Sequence, residues 1–197
     1  MTQEEKKEMI ERASIHYGNF MEALGLDWKN NPHQKDTPER VAKAFVEDLF
    51  AGLYNDPPKI TAFPNESKYP GMVFEGNIEV KSLCQHHILP FIGKAYVAYI
   101  PGEKMIGLSK LNRIVEYFSR RPQVQEDLTA QIHNELNRVC EGNGGVAVMI
   151  EANHTCASLR GVKHDSTMVT SQISGAFETK EAARAEFYKF IDYLKNK

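Results

Sequence analysis

The chain has 197 residues, enough for one domain with a substantial core and too few to favour two independent ones. Lys and Arg number 24 against 26 Asp and Glu, a formal charge of -2 that excludes a general attraction to nucleic acid or to an anionic membrane, so any recognition of phosphate must be local. No uninterrupted apolar run approaches membrane-spanning length, the first seven residues carry no secretory-type stretch, and three cysteines are too sparse for a disulfide scaffold. The expectation is a soluble, cytoplasmic protein with reduced thiols.

In chain order, Ile10, Ala13, Tyr17, Phe20 and Leu24 fall on one helical face, with Gly25 as a stop. Thr37-Pro38 marks a second helix, with Thr37 as the cap and proline at the first helical position, continuing through Val41, Phe45, Leu49 and Leu53 to Asp56-Pro57-Pro58. Pro64 and Pro70-Gly71 punctuate an irregular connection, which predicts a helical N-terminal arm and connection over 1–70 and a core over 71–197. Within that core Ile78–Leu83 and Ala95–Ile100 read as strands, the second closed by Pro101-Gly102. Leu108, Leu111, Val115 and Phe118 mark a helix stopped by Arg121-Pro122, and Leu128, Ile132, Leu136 and Val139 mark another, ending at a glycine-rich turn. Val146, Val148 and Ile150 alternate as a strand leading to His154, Met168–Ile173 is a fourth strand, and Ala183, Phe187, Ile191 and Leu194 line a last helix. The order β-β-α-α-β-β behind a helical arm predicts an α+β domain with an antiparallel sheet, whose edges an oligomer could pair.

Two segments carry the chemistry. Cys84-Gln85-His86-His87 and His154-Thr155-Cys156, the latter followed by Arg160-Gly161, together offer two thiols and three imidazoles. Sulfur and imidazole nitrogen are the donors Zn²⁺ prefers, and a catalytic zinc takes three protein ligands and keeps a fourth position open. Cys84, His87 and Cys156 would make such an open site, leaving His86 and His154 to move protons beside it. A turn at 84–87 would let Cys84 and His87 grip one ion, and an extended segment would point His154 and Cys156 the same way. The bland alternative is that the cysteines pack as small hydrophobes and the histidines are ordinary polar residues.

Further motifs lower that alternative. Gly107-Leu108-Ser109-Lys110-Leu111-Asn112-Arg113 and Arg121-Pro122-Gln123-Val124-Gln125-Glu126 join the two metal-type segments, in order, across most of 37–177. The set resembles GTP cyclohydrolase I, the zinc enzyme that opens the imidazole ring of GTP. The resemblance implies a tunnelling fold, formation of 7,8-dihydroneopterin triphosphate and formate, and entry to pterin and tetrahydrofolate synthesis. It implies that Cys84, His87 and Cys156 hold zinc and that His86 and His154 are catalytic. Glu126 resembles the guanine anchor, because a carboxylate accepts from both N1–H and the exocyclic amine, and Gln125 resembles its neighbour at the base site. Ser109, Lys110, Arg113 and Arg160 resemble the residues that hold ribose and triphosphate, with Arg40 a further phosphate-binding arginine. Lys110 and Arg113 share a helical face, and Ser109 is a candidate cap for that helix. Gln85 stands where the family often has glutamate; the two are nearly isosteric and the position is not a ligand, so activity should persist. The resemblance also implies a homo-oligomer, a decamer of two pentamers whose sheets join into a barrel with shared active sites, and neither nucleic acid nor membrane as partner. Related pterin synthases and a deazaguanine nitrile reductase fit these motifs less well. From a different class, a non-catalytic zinc-stabilised pterin- or nucleotide-binding protein would need its metal closed by four protein ligands.

Overall fold

The structure, a computed structural model, describes residues 1–196. It divides into two compact units, Met1–Asp56 and a second beginning at Pro57.

In the first unit, α1 (Gln3–Ala23) opens with a reciprocal capping box. The Thr2 hydroxyl accepts from Glu5 N at 3.2 Å while Thr2 N donates to the Glu5 carboxylate at 2.7 Å, satisfying two backbone donors that a helix start leaves unpaired. The helix stops where Gly25 adopts φ +77°, the left-handed turn that glycine tolerates best. The Trp28 indole N–H donates to Gly18 O at 3.0 Å. A side chain at Gly18 would lie 2.8 Å from that ring, so glycine is needed for the contact. Helix α2 (Thr37–Ala44) takes Asp36 as its N-cap residue, one position earlier than the sequence suggests, with Pro38 inside the first turn. The expected continuous helix to Leu53 is interrupted by a π-helical turn at Phe45–Leu49 before α3 (Ala51–Tyr54). Arg40 lies on α2 and pairs with Asp36 at 3.2 Å.

The second unit is α+β. Its elements are β1 (Ala62–Pro64), β2 (Val73–Cys84), β3 (Pro90–Ile100), β4 (Lys104–Ile106), α4 (Leu108–Ser119), β5 (Pro122–Gln123), α5 (Gln125–Val139), β6 (Gly145–His154), α6 (Thr155–Ser158), β7 (Thr167–Ile173), α7 (Ala176–Thr179) and α8 (Glu181–Lys195). The long elements follow the predicted order β-β-α-α-β-β. The main sheet runs β5-β2-β3-β6-β7 and is antiparallel except for the two-residue parallel pairing of β5 with β2. A separate two-stranded antiparallel ribbon pairs β1, within the connection, with β4.

From Ala95 to Tyr99 strand β3 is buried on both faces, and alternation divides its side chains between two cores. Ala95, Val97 and Tyr99 join Leu111, Val115, Leu128 and Ile132 of α4 and α5. Tyr96 and Ala98 join Phe177, Phe187 and Ile191 of α7 and α8. Each large apolar side chain removed from water in this way contributes about 1.5–3 kcal/mol before chain entropy is counted. Gly93 lets β3 and β6 close up, since a Cβ there would lie 1.9 Å from Glu151 O. Two residues away, Phe91 is in register with His154, at the end of the sheet where the cysteines gather. At the other end, a bulge between Glu75 and Ile78 bends β2, with Asn77 at φ +58°. Among the described residues, no helix is long and apolar enough to cross a membrane.

Candidate active site

Strand β2 delivers Cys84 as its last residue, and the chain then turns sharply. Cys84 O accepts from His87 N at 3.3 Å and from Ile88 N at 2.8 Å, so the predicted turn forms. The Cys84 thiol is buried, whereas His86 and His87 are exposed on the turn. Their Nδ1 atoms lie 3.7 Å and 3.9 Å from Cys84 Sγ.

The second segment differs from the extended reading. β6 ends at His154 and α6 begins at Thr155, so Cys156 sits in a short helical turn and not two places along a strand. Thr155 Oγ1 donates to Pro90 O at 2.5 Å, tying that turn to the start of β3. The change of backbone direction still brings donor atoms of Cys84, His154 and Cys156 to within 4.8 Å of one another. His87 is not a member of that tight group. Burial, with the Cys84 sulfur alongside, pushes the Cys156 thiol above its ordinary range, while the positive charge of Arg160 opposes the shift.

His154 is the most constrained imidazole of the set. Its ring stacks on Phe91 with centroids 4.4 Å apart and planes 12° apart. Nε2 is 2.8 Å from Gln125 Oε1. Burial lowers its pKa below the ordinary histidine value, and the carboxylate of Glu126 works in the opposite direction.

Gln125 and Glu126 open α5 as adjacent residues with different environments. Gln125 is 1% exposed, and its side chain reaches His154 and the backbone carbonyls of Ile150 on β6 and Met168 on β7. Glu126 is exposed in the same first turn, where its charge reaches His154. Arg160 is also exposed, at the end of the segment that carries Cys156.

Ser109, Lys110 and Arg113 fall elsewhere. Gly107, not Ser109, is the N-cap residue of α4, and Ser109 lies in the first turn without a capping bond. Lys110 Nζ donates to Lys59 O at 3.0 Å. Asn112 donates to Glu75 at 2.6 Å, so this end of α4 lies over the beginning of β2. The other end of α4 lies near Cys84, because Ser82 Oγ donates to Arg121 O at 3.0 Å and β5 pairs with Leu83 and Cys84. Ten residues of helix separate Ser109 from Ser119, about 15 Å at 1.5 Å per residue. Within one chain, the basic group and the thiol cluster therefore occupy opposite ends of the sheet.

Two supporting residues have no sequence signature: Phe91, which faces His154 only through strand register, and Thr170, whose hydroxyl meets the Gln125 amide at 3.1 Å. Both relationships are tertiary, and spacing carries no signal for them.

The donor set, two sulfurs and an imidazole nitrogen without a carboxylate, fits a zinc-type metal in preference to magnesium or calcium. Comparison with known proteins points the same way. The sequence pattern of the family described as GTP cyclohydrolase I matches residues 13–192. GTP cyclohydrolase 1 of Flavobacterium johnsoniae is 46% identical over 99% of this chain and 84% of its own length. The proteins of the same name from Vibrio cholerae and Wigglesworthia glossinidia brevipalpis are 45% and 43% identical, each over 94% of this chain and 84% and 86% of their own lengths. With a fold-wide family match and such identity across nearly every element of both units, the chain belongs to the GTP cyclohydrolase I family.

Proposed function

We propose that this chain opens the imidazole ring of GTP by zinc-dependent hydrolysis and rearranges the product to 7,8-dihydroneopterin triphosphate with release of formate, the first step of pterin and tetrahydrofolate synthesis. The observation that carries the reading is the convergence of Cys84, Cys156 and His154 within 4.8 Å, in a chain of this family. Cys84 and Cys156 hold the metal. His87 is the third ligand, since its exposed side chain on the 84–87 turn is free to swing the short distance required. Zinc bound there supplies Lewis acidity that brings the pKa of water toward neutrality.

The chain's own residues do the rest. His154, half-buried and stacked on Phe91, is placed to exchange a proton with the reacting purine beside C8. His86, on the solvent side of the same turn, exchanges protons with the opening ring and the ribose. Glu126 accepts from N1–H and the 2-amino group of guanine, a pair that adenine does not present. Arg160 grips the triphosphate near the metal end. Arg40, Ser109, Lys110 and Arg113 complete the phosphate and ribose contacts. The separation of the α4 basic group from the thiol cluster of its own chain supports a site shared between subunits. In that arrangement a neighbour's Ser109, Lys110 and Arg113 meet this chain's cysteines. The outer edge of β7 is available to pair with another copy, in keeping with a decamer of two pentamers whose sheets close into a barrel. The helical arm and connection over 1–70 serve that assembly, and the catalytic, metal-binding and substrate-binding groups other than Arg40 lie in the core over 71–197. The setting is cytoplasmic, where the thiols stay reduced.

Purified protein incubated with GTP should yield a pterin that fluoresces after oxidation, with zinc bound stoichiometrically. Cys84→Ser, His87→Ala and Cys156→Ser should each lose zinc and turnover together, since three protein ligands leave none to spare. Full zinc content in all three variants would remove the metal assignment, and zinc retained in His87→Ala alone would move the third ligand to His154.

A further inference from the structure

The amide of Gln125 has one permissible orientation, and it decides which nitrogen of His154 carries hydrogen. Gln125 Nε2 lies 3.1 Å from Ile150 O, from Met168 O and from Thr170 Oγ1. Carbonyl oxygens only accept, so this corner of the amide must be the NH₂ group. A half-turn of the amide would set oxygen against two carbonyl oxygens in a fully buried site, and the hydrogen-bond network excludes it. The acceptor Oε1 is therefore the atom 2.8 Å from His154 Nε2, which must donate. A neutral imidazole has one N–H, so the lone pair of His154 sits on Nδ1.

The threonine pair behind Gln125 is polarised the same way. Thr129 Oγ1 donates its single hydrogen to Gln125 O at 2.9 Å. At the 2.6 Å contact between Thr129 and Thr170, the hydrogen must then come from Thr170. That leaves a lone pair of Thr170 for the Gln125 amide, whose two N–H groups are shared among three acceptors. Backbone, two hydroxyls, amide and imidazole form one directed circuit, and Phe91 stacked on the ring fixes its plane.

We propose that Gln125 is a positioning residue that locks His154 in the Nε2–H tautomer and presents the Nδ1 lone pair to the site, and that it does not contact the guanine. The proposal rests on the active-site reading above. The inference comes from counting hydrogens and acceptors around a buried amide.

The direct test is magic-angle-spinning ¹⁵N spectroscopy of zinc-loaded enzyme labelled at histidine, with the His154 signals assigned by their loss in His154→Gln. The expected spectrum has a protonated Nε2 and an unprotonated Nδ1; a protonated Nδ1 in neutral His154 overturns the proposal whatever the variants do. Gln125→Met, which keeps length and removes the acceptor, should lower kcat about 10–100-fold with KM for GTP within about threefold and zinc content unchanged. Thr170→Val, which removes one of three acceptors holding the amide, should move kcat in the same direction by a smaller factor. A Gln125→Met enzyme with raised KM and unchanged kcat would place the amide on the base and sink the proposal. Absence of GTP turnover in the unaltered protein would overturn the active-site reading instead, and the tautomer spectrum would still decide the lock.

Discussion

Helix α5 serves two histidines, one buried and one half-buried, and they are built differently. His154, on β6, is held at one nitrogen by Gln125 from the first turn of the helix, and its second nitrogen retains a lone pair. His133, two turns further along α5, has Nε2 3.0 Å from Ser174 Oγ and Nδ1 3.4 Å from the side-chain oxygen of Asn134. Burial lowers the pKa of both, so neither burial nor a shifted pKa separates a functional histidine from a structural one. What separates them is spare valence and company. His133 has partners at both nitrogens, whereas His154, among the described residues, has a hydrogen-bond partner at Nε2 alone and lies beside two thiols and a nearby carboxylate.

Replacing each histidine by alanine is the sharpest way to break that contrast. His154→Ala should lose roughly 10²–10⁴ in turnover while retaining zinc, the range for removal of a positioned proton-transfer group. The comparison collapses if His133→Ala loses turnover to the same degree in protein that remains folded. Next in size, Glu126→Gln should reduce kcat/KM for GTP by the equivalent of about 1.5–3 kcal/mol, because an amide cannot accept both guanine donors. Unchanged discrimination against ATP in that variant would take Glu126 off the base. For His133→Ala the expected loss is stability, about 1–3 kcal/mol by denaturant titration, from orphaned polar partners and lost packing, with turnover per folded molecule preserved.

The smallest effect is a pH dependence. The folded-state pKa of His133 is depressed by burial, so as pH drops below the ordinary histidine value of 6.5 the unfolded chain takes up a proton that the folded chain resists. The contribution is whole above pH 6.5 and is lost as pH falls toward the depressed value. Thermal unfolding of His133→Gln between about pH 7 and pH 5 should show a shallower decline than the unaltered protein. Equal slopes would assign the acid sensitivity to other groups.

The legible parts of the sequence were those with local causes. Thiols and imidazoles are few enough in this chain that Cys84, His86, His87, His154 and Cys156 stand out by chemistry, although the tight group contains His154 and not the expected ligand His87, and alternation in Val146, Val148 and Ile150 found β6. The extent of β3 was harder. The expected strand begins at Ala95, yet Pro90 starts it and Gly93 lies inside it, where β6 approaches too closely for any side chain. The π-helical turn at Phe45–Leu49 hid beneath a helical apolar repeat that it barely perturbs. In the site, Gln125 stood out beside Glu126, but its orientation depends on carbonyls 25 and 43 residues further along the chain, a relation no local pattern expresses. The distance between the α4 basic group and the cysteines was equally invisible, because it follows from the direction in which α4 crosses β2.

The close approach at Gly93 sets a limit on how this sequence can drift. The position offers no side chain to substrate or metal, yet even a methyl group there would meet Glu151 O and press β3 away from β6. The displaced pair would include Phe91 and His154, two residues along the same register. Gly93→Ala should therefore appear in a mutational scan as intolerant as a ligand position, even though the residue takes no part in the chemistry. Its tolerance would return only with a compensating retreat of the β6 backbone, which a single codon change cannot supply.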